Sequence, residues 1–129
     1  MRPVWITYLG WMCAACLATD ALGLALRQLL DNAVKYSSPT SPIEIVAAVD
    51  TAVDIAVRNA GAPIPEREQQ RIFERFYRGA QARHIPGTGM GLAIVRQIAA
   101  AHGGTLTVSS SPDTGTTFTL SLPRGGPRA

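Results

Sequence analysis

Lysine and histidine are scarce in this 129-residue chain, and no run of basic residues is present. One lysine, Lys35, stands against eleven arginines, which are scattered along the sequence and give a net charge of only +3. Nucleic-acid-binding domains usually carry a basic stripe. The composition therefore gives no argument for a nucleic-acid partner.

Cysteine is also scarce, since Cys13 and Cys16 are the only two. Two thiolates cannot complete a tetrahedral zinc site, and no βαβ pattern surrounds the pair as a thioredoxin-like motif requires. We interpret both as ordinary reduced cysteines.

Long apolar runs are lacking as well. Residues 4–19 are apolar, but these 16 residues fall short of the roughly 20 that span a bilayer, and Gly10 interrupts them. We predict two core strands here, one over residues 4–9 and one in the run that ends at Thr19. A signal peptide or short anchor is the alternative.

The remaining sequence predicts one domain over residues 1–123. Asp20 is the predicted N-cap of a helix over 20–36, whose apolar stripe is Leu22, Leu26, Leu30 and Val34 with Leu29 and Ala33 beside it. Four strands are predicted, at 43–50, 52–59, 105–111 and 116–123. A short helix is predicted at 66–77, with Ile72, Phe73 and Phe76 on its apolar side, and a second long helix at 90–102, ended by Gly103 and Gly104. We expect a mobile loop at 78–89 and a disordered tail at 124–129. This order predicts an α+β fold, a two-layer sandwich of a mixed, mostly antiparallel sheet with helices on one face.

Opposite the leucine stripe, four polar residues fall at helical spacing: Gln28, Asp31, Asn32 and Lys35. The only lysine and one of only two asparagines therefore share one face. Lysine is a compact charge suited to phosphate, and an amide oxygen is a hard ligand suited to Mg²⁺. A plain solvated face is the alternative.

Three glycines, Gly87, Gly89 and Gly91, come directly before the second long helix. The spacing is neither the Walker pattern nor the dinucleotide fingerprint. Backbone N–H groups at Gly89, Met90 and Gly91 would open the helix and face an anion. A flexible glycine loop without a ligand is the alternative.

Five segments follow one another in the order typical of a known family, and their order is more specific than any single segment. They are LRQLLDNAVKYS, NAGAPIP, RIFERFYRG, GTGMGLAIVRQIAAAHGG and GTTFTLSLP. Together they resemble the N, G1, F, G2 and G3 boxes of the ATP-binding catalytic domain of bacterial sensor histidine kinases. The resemblance covers residues 17–123. It implies the Bergerat ATP-binding sandwich, which is shared with gyrase and Hsp90.

The resemblance implies ATP and Mg²⁺ as cofactors. It assigns catalysis to Asn32 as the Mg²⁺ ligand, Lys35 as a phosphate partner and Arg78 at the terminal phosphates. Tyr36 would lie against the base, Gly61 and Ile64 would shape the adenine pocket, and Thr116 would read the base directly or through water. Phe73 and Phe76 would pack the lid. The remaining residues of the implied nucleotide site are Gln28, Asn59, Gly87, Thr88, Gly89, Met90, Gly91 and Leu92.

Two positions matter most for activity. Asn59 stands where the family usually has an adenine-reading aspartate, and a neutral amide makes a weaker bond than a carboxylate. Gln28 lies one turn before Asn32, where ATP-hydrolysing relatives have a glutamate that activates water. Because an amide cannot take a proton, the chain is expected to hold ATP and give away its γ-phosphate.

The two histidines, His84 and His102, lie outside any segment that resembles a phospho-acceptor site. The expected partner is therefore a histidine-containing dimerisation domain supplied in trans and, indirectly, a response regulator. We expect a cytoplasmic monomer without direct membrane insertion, held at the inner membrane only through a partner or missing segments. A stand-alone serine kinase resembling anti-sigma factors and a nucleotide-binding module without transfer activity are the alternative functions.

Overall fold

A computed structural model of the chain describes residues 12–74, 77 and 91–123, with the backbone alone for residues 12–19. The elements are helix α1 (Met12–Tyr36), strands β1 (Glu44–Val49) and β2 (Ala52–Asn59), two 3-10 turns (Glu66–Glu68 and Arg71–Phe73), helix α2 (Gly91–Ala101), and strands β3 (Thr105–Ser111) and β4 (Gly115–Pro123). The predicted helix at 90–102 and the four strands after α1 are confirmed. The predicted strand at 4–9, the loop at 78–89 and the tail at 124–129 lie outside the described residues.

The four strands form one sheet, in the order β1-β2-β4-β3, among the residues that the structure describes. Each neighbouring pair is antiparallel, so this part of the sheet is antiparallel throughout rather than mixed. Alternate side chains of a strand point to opposite faces. Val57, Leu106, Phe118 and Leu120 share the face that α1 and α2 cover, which confirms a two-layer sandwich with helices on one face.

The buried row of α1 differs from the predicted stripe. Ala25, Leu29 and Ala33 are at most 2% exposed, whereas Val34 is 64% exposed. Two of these three are alanines, and α2 contributes the equally small Ala99 to the same buried cluster. Small side chains let two helices approach closely, so the row with the smaller residues faces α2.

The start of α1 corrects a second prediction. Residues 12–19 are helical rather than a strand, and Asp20 lies inside the helix instead of capping it. This stretch is rich in alanine and also contains leucine and methionine, which are strong helix formers, and it holds no proline or glycine. Nothing in it therefore stops the helix from extending toward the N-terminus. Within the described residues, neither helix is both long enough and apolar enough to cross a bilayer.

The predicted short helix at 66–77 is replaced by two separate 3-10 turns. The second turn ends at Glu74, whose backbone is extended with φ −73° and ψ 143°. Phe73 is nevertheless buried, and half-buried Ile72 packs against the same core. The apolar side was therefore predicted correctly for these two residues, and Phe76 lies outside the described residues.

Glycines end α2 as predicted. Gly103 has a φ of +73°, its N–H donates to the Ala100 carbonyl at 3.0 Å, and the Gly104 N–H donates to the Ala99 carbonyl at 2.8 Å. This is the Schellman pattern. It turns the chain sharply from α2 into β3.

Leu29→Ala should lower the free energy of unfolding by about 2–5 kcal/mol, because it opens a cavity in the centre of the core. Val34→Ala on the same helix should change it by no more than about 0.5 kcal/mol, because that side chain is exposed. Urea denaturation of both variants measures the difference. Equal effects would contradict the observed orientation of α1.

Candidate nucleotide-binding site

The core face of the sheet changes from apolar to polar at one end. Cross-strand register aligns three rows of side chains on this face: Ile55, Leu120 and Leu106; Val57, Phe118 and Val108; and Asn59, Thr116 and Ser110. The first two rows are apolar and belong to the core. We call the third, Asn59–Thr116–Ser110, the polar row.

The polar row is enclosed. Asn59 is 3% exposed and Thr116 is 4% exposed, although both are polar. The hydroxyl oxygens of Ser110 and Thr116 are 2.7 Å apart, and the Ile64 N–H donates to the Ser110 hydroxyl at 2.8 Å. Buried polar groups are costly unless they are hydrogen-bonded, and these hydrogen bonds compensate for part of that cost.

Gln69 fastens the loop after β2 to the edge strand β3. Its amide nitrogen donates to the Ile64 carbonyl at 3.0 Å and, at a longer 3.5 Å, to the Ser110 carbonyl. The Ile64 N–H bond to Ser110 and the longer Gln69 contact hold this loop against Ser110 of the polar row, and the Gln69–Ile64 bond braces the loop itself. The loop that was predicted to shape an adenine pocket is therefore fixed where the pocket would be.

Two glycines allow close backbone approach beside the polar row. A Cβ added to Gly61 would collide with the Tyr36 carbonyl, and one added to Gly115 would lie 2.5 Å from the Asn59 carbonyl. Gly115 also has a φ of +76°, which only glycine adopts readily. The end of α1, the loop after β2 and the turn before β4 thus meet around Asn59.

The polar face of α1 borders this region. Gln28 and Asn32 are half-buried, and Asp31 and Lys35 are exposed. A Cβ on Gly91 would lie 2.8 Å from the Gln28 side-chain oxygen, so Gln28 rests against the start of α2. Asn32 stays out of the hydrophobic core, as a ligand-facing role requires.

Of the other predicted site residues, Phe73 and Leu92 are described and pack with the core. The Phe73 ring meets Phe118 edge-on at 6.3 Å between centroids, and the Arg96 guanidinium lies 5.7 Å from the Phe73 ring. Leu92 is half-buried against the same cluster. The predicted residues that lie outside the described part of the chain are Arg78, Gly87, Thr88, Gly89 and Met90.

Tyr77 is fixed next to the predicted phosphate-binding residue Arg78. Its hydroxyl donates to the Glu68 carboxylate at 2.8 Å, and the Arg71 guanidinium lies 4.5 Å from the ring centroid. The hydrogen bond to Glu68 is the main cause that raises the pKa of Tyr77 above its usual 10.0, and burial adds to it. The phenol therefore stays protonated at neutral pH and remains a donor.

Sequence reasoning missed Ser110, Gln69 and Gly115. Ser110 is the middle of three consecutive serines, and only the register of β3 against β4 shows that it faces inward. The sequence did contain a signal for Gly115, because this glycine comes directly before the predicted strand at 116–123. Nothing in the sequence distinguishes Gln69 from Gln70.

A cavity of about 590 Å³ lies between the loop after β2 and the end of β3. Its lining includes Pro63, Pro65 and Pro112, together with Ile64 and Ser110. Asn59, Thr116 and the polar face of α1 are not part of that lining. The cavity therefore meets the polar row only at Ser110 and shares Ile64 with the predicted nucleotide site.

Comparison with known proteins identifies the family of the chain. Residues 18–126 match the family of histidine kinase-, DNA gyrase B- and HSP90-like ATPases, and the chain belongs to this family. The sensor-like histidine kinase SenX3 of Mycobacterium tuberculosis is 47% identical over 102 residues, which are 77% of this chain and 25% of SenX3. The chain spans about a quarter of the length of the curated relatives it matches.

Two solved structures extend the similarity to the fold. The mycobacterial sensor histidine kinase MprB gives a TM-score of 0.74 at 36% identity, over 85% of this chain and 75% of that one. Full-length ShkA in complex with AMPPNP gives a TM-score of 0.70 at 28% identity, over 84% of this chain and 22% of that one. The fold is therefore that of the ATPase domain of histidine kinases, as expected, and domains of this family bind ATP.

Gly61→Ala should destabilise the protein by about 1–3 kcal/mol, because its methyl group would overlap a backbone carbonyl that cannot move aside cheaply. Gly23→Ala is the matched control, since a Cβ there meets nothing within 4 Å. In the middle of a helix that change should stabilise by about 0.5–1 kcal/mol. Thermal unfolding compares the two, and a neutral Gly61→Ala would contradict the close approach of Tyr36.

Proposed function

We propose that this chain is the ATP-binding catalytic domain of a two-component sensor histidine kinase, which transfers the γ-phosphate of ATP to a histidine on a separate dimerisation domain. The observation that carries the proposal is the buried polar row at the end of an otherwise apolar sheet face. It lies beside the polar face of α1 in a chain of the histidine kinase ATPase family. The response regulator would then receive the phosphate from the dimerisation domain.

The polar row would read the base. The Asn59 side-chain oxygen would accept a hydrogen bond from the adenine amino group, and the Thr116 hydroxyl would bond to the ring directly or through water. Gly61 and Ile64 would form the adjacent wall, and the Tyr36 ring would lie against the base. The burial of Asn59 and Thr116 supports this role, because hydrogen bonds shielded from water contribute most to selectivity.

The residues present fit a magnesium ion that is held mainly by nucleotide. Within the described residues, no three His, Cys, Asp or Glu side chains are grouped so that they could hold a metal. Mg²⁺ in phosphoryl-transfer sites is typically bound through one or two protein oxygens and the substrate phosphates. Asn32 would supply that oxygen, and exposed Lys35 would pair with a phosphate. When bound, Mg²⁺ would neutralise charge on the phosphates.

Gln28 supports transfer rather than hydrolysis. It sits one helical turn before Asn32 and rests against Gly91 at the start of α2. An amide there can orient a group but cannot remove a proton from water. Catalysis by this domain would consist of positioning the γ-phosphate and balancing its charge, with Arg78 and the glycines at 87–91 as the proposed partners of the terminal phosphates.

The acceptor would be supplied in trans. The ring of His102 is hydrogen-bonded to the end of α2, because its Nδ1 donates to the Ile98 carbonyl at 2.8 Å. His84 lies outside the described residues. The bound ring of His102 supports the view that it is not the phosphorylated residue.

Incubation with radiolabelled ATP, Mg²⁺ and a histidine-containing dimerisation domain should label that domain with an acid-labile, base-stable phosphate. Asn32→Ala should reduce labelling at least about a hundredfold if it removes the protein ligand of the metal. Val34→Ala, two positions away and exposed, should label normally. Acid-stable phosphate on serine would contradict the proposal, and so would ATP binding without transfer to any matching partner.

Asn59→Asp should tighten ATP binding by about 1–2 kcal/mol, the scale that separates neutral from charge-assisted hydrogen bonds. The same change should lower stability without nucleotide, because it buries a carboxylate. Asp54→Asn, on the same strand and exposed, is the control. Calorimetric titration with Mg·ATP measures the effect, and an unchanged affinity would rule out base reading by residue 59.

A further inference from the structure

The hydrogen bonds of Ser110 leave its hydroxyl with little freedom. Its oxygen accepts the Ile64 N–H at 2.8 Å and lies 2.7 Å from the Thr116 hydroxyl oxygen. The Ile64 N–H belongs to a loop that Gln69 also fastens to β3. One lone pair of the Ser110 oxygen therefore accepts the Ile64 N–H.

Either hydroxyl could donate in the Ser110–Thr116 bond, and the proton count favours donation by Ser110. A hydroxyl has one hydrogen and two lone pairs. Among the hydrogen bonds of the described residues, Thr116 offers the acceptor within reach of the Ser110 hydrogen. If Ser110 donates to Thr116, every group in the chain from Ile64 to Ser110 to Thr116 is used once. The Thr116 hydrogen then remains available to a group outside the protein.

We propose that Ser110 is a positioning residue that holds the Thr116 hydroxyl as a hydrogen-bond donor and thereby selects adenine over guanine. This inference rests on the proposed function, in which Thr116 faces the base. Adenine presents a ring-nitrogen acceptor at N1, beside its amino group. Guanine presents an N1–H donor there, which would face a second donor and leave the Thr116 hydrogen unpaired.

Because residue 59 is an amide, the protein needs a second group to distinguish adenine from guanine. A carboxylate can only accept, so it would reject the guanine O6 by itself. An amide can present either its oxygen or its nitrogen, and it can therefore satisfy the adenine amino group or the guanine O6 by turning over. In this chain, selection against guanine falls to Thr116, and the direction of its hydroxyl is set by Ser110.

The test compares Mg·ATP and Mg·GTP affinities by isothermal titration calorimetry for the unaltered chain, Ser110→Ala and Ser110→Thr. Ser109→Ala is the matched control, because Ser109 is exposed on the opposite face of β3. Ser110→Ala should lower the ratio of ATP to GTP affinity by up to about fivefold, the scale of one hydrogen bond, because the released Thr116 hydroxyl can turn to accept from the guanine N1–H. Ser110→Thr keeps the hydroxyl and should restore the ratio, and Ser109→Ala should not alter it.

The analogue 1-deaza-ATP, which lacks the N1 acceptor, gives a second readout. It should bind the unaltered chain about fivefold more weakly than ATP, and this difference should shrink in Ser110→Ala, whose Thr116 hydroxyl is no longer held toward the base. If Ser110→Ala fails to fold, Ser110→Cys, which keeps the shape with a weak donor, should lower the ATP-to-GTP ratio in the same direction. Equal losses for ATP and GTP, or an unchanged ratio, would overturn the inference. Failure of the unaltered chain to bind ATP would instead overturn the proposed function.

Discussion

The structure depends on one feature of its sheet: the side chains on the core face change from apolar to polar at one end. Two rows of apolar side chains build the core, and the next row, Asn59–Thr116–Ser110, is polar although Asn59 and Thr116 are buried and Ser110 is half-buried. Burying that row costs free energy unless each group finds a partner. The protein meets part of this demand internally through Ser110 and Ile64, and under the proposed function a base would bond to Asn59 and Thr116.

The rest of the fold brings backbone and helices to this row. Three glycines allow this because they have no side chain. The carbonyl at the end of α1 packs against Gly61, the Asn59 carbonyl packs against Gly115, and the Gln28 side chain packs against Gly91. Each contact joins a different pair of elements. A side chain at Gly61 or Gly115 would collide with backbone, whereas one at Gly91 would meet only the end of the Gln28 side chain. The site is therefore a product of close backbone packing, which explains why its glycines matter as much as its polar residues.

Much of this could be predicted from the sequence. Valine- and isoleucine-rich runs predicted β1 and β2, and the glycine pair predicted the end of α2. Two limits were physical. The row of α1 that faces inward was decided by packing against α2, which favoured alanines over the more hydrophobic stripe, and the role of Ser110 depends on strand register, which local composition does not encode. The roles of Asn32 and Lys35 in nucleotide binding stay predictions.

The account's central claim is that the polar row is one wall of the nucleotide site. Titration of the isotopically labelled chain with Mg·AMPPNP, followed by amide chemical shifts, tests it most directly. We expect the largest and saturable shifts at Gly61 and Thr116, and small ones at Asp50 and Thr51 at the opposite end of the sheet. Shifts confined to the Asp50 end, or none at millimolar nucleotide, would contradict the claim.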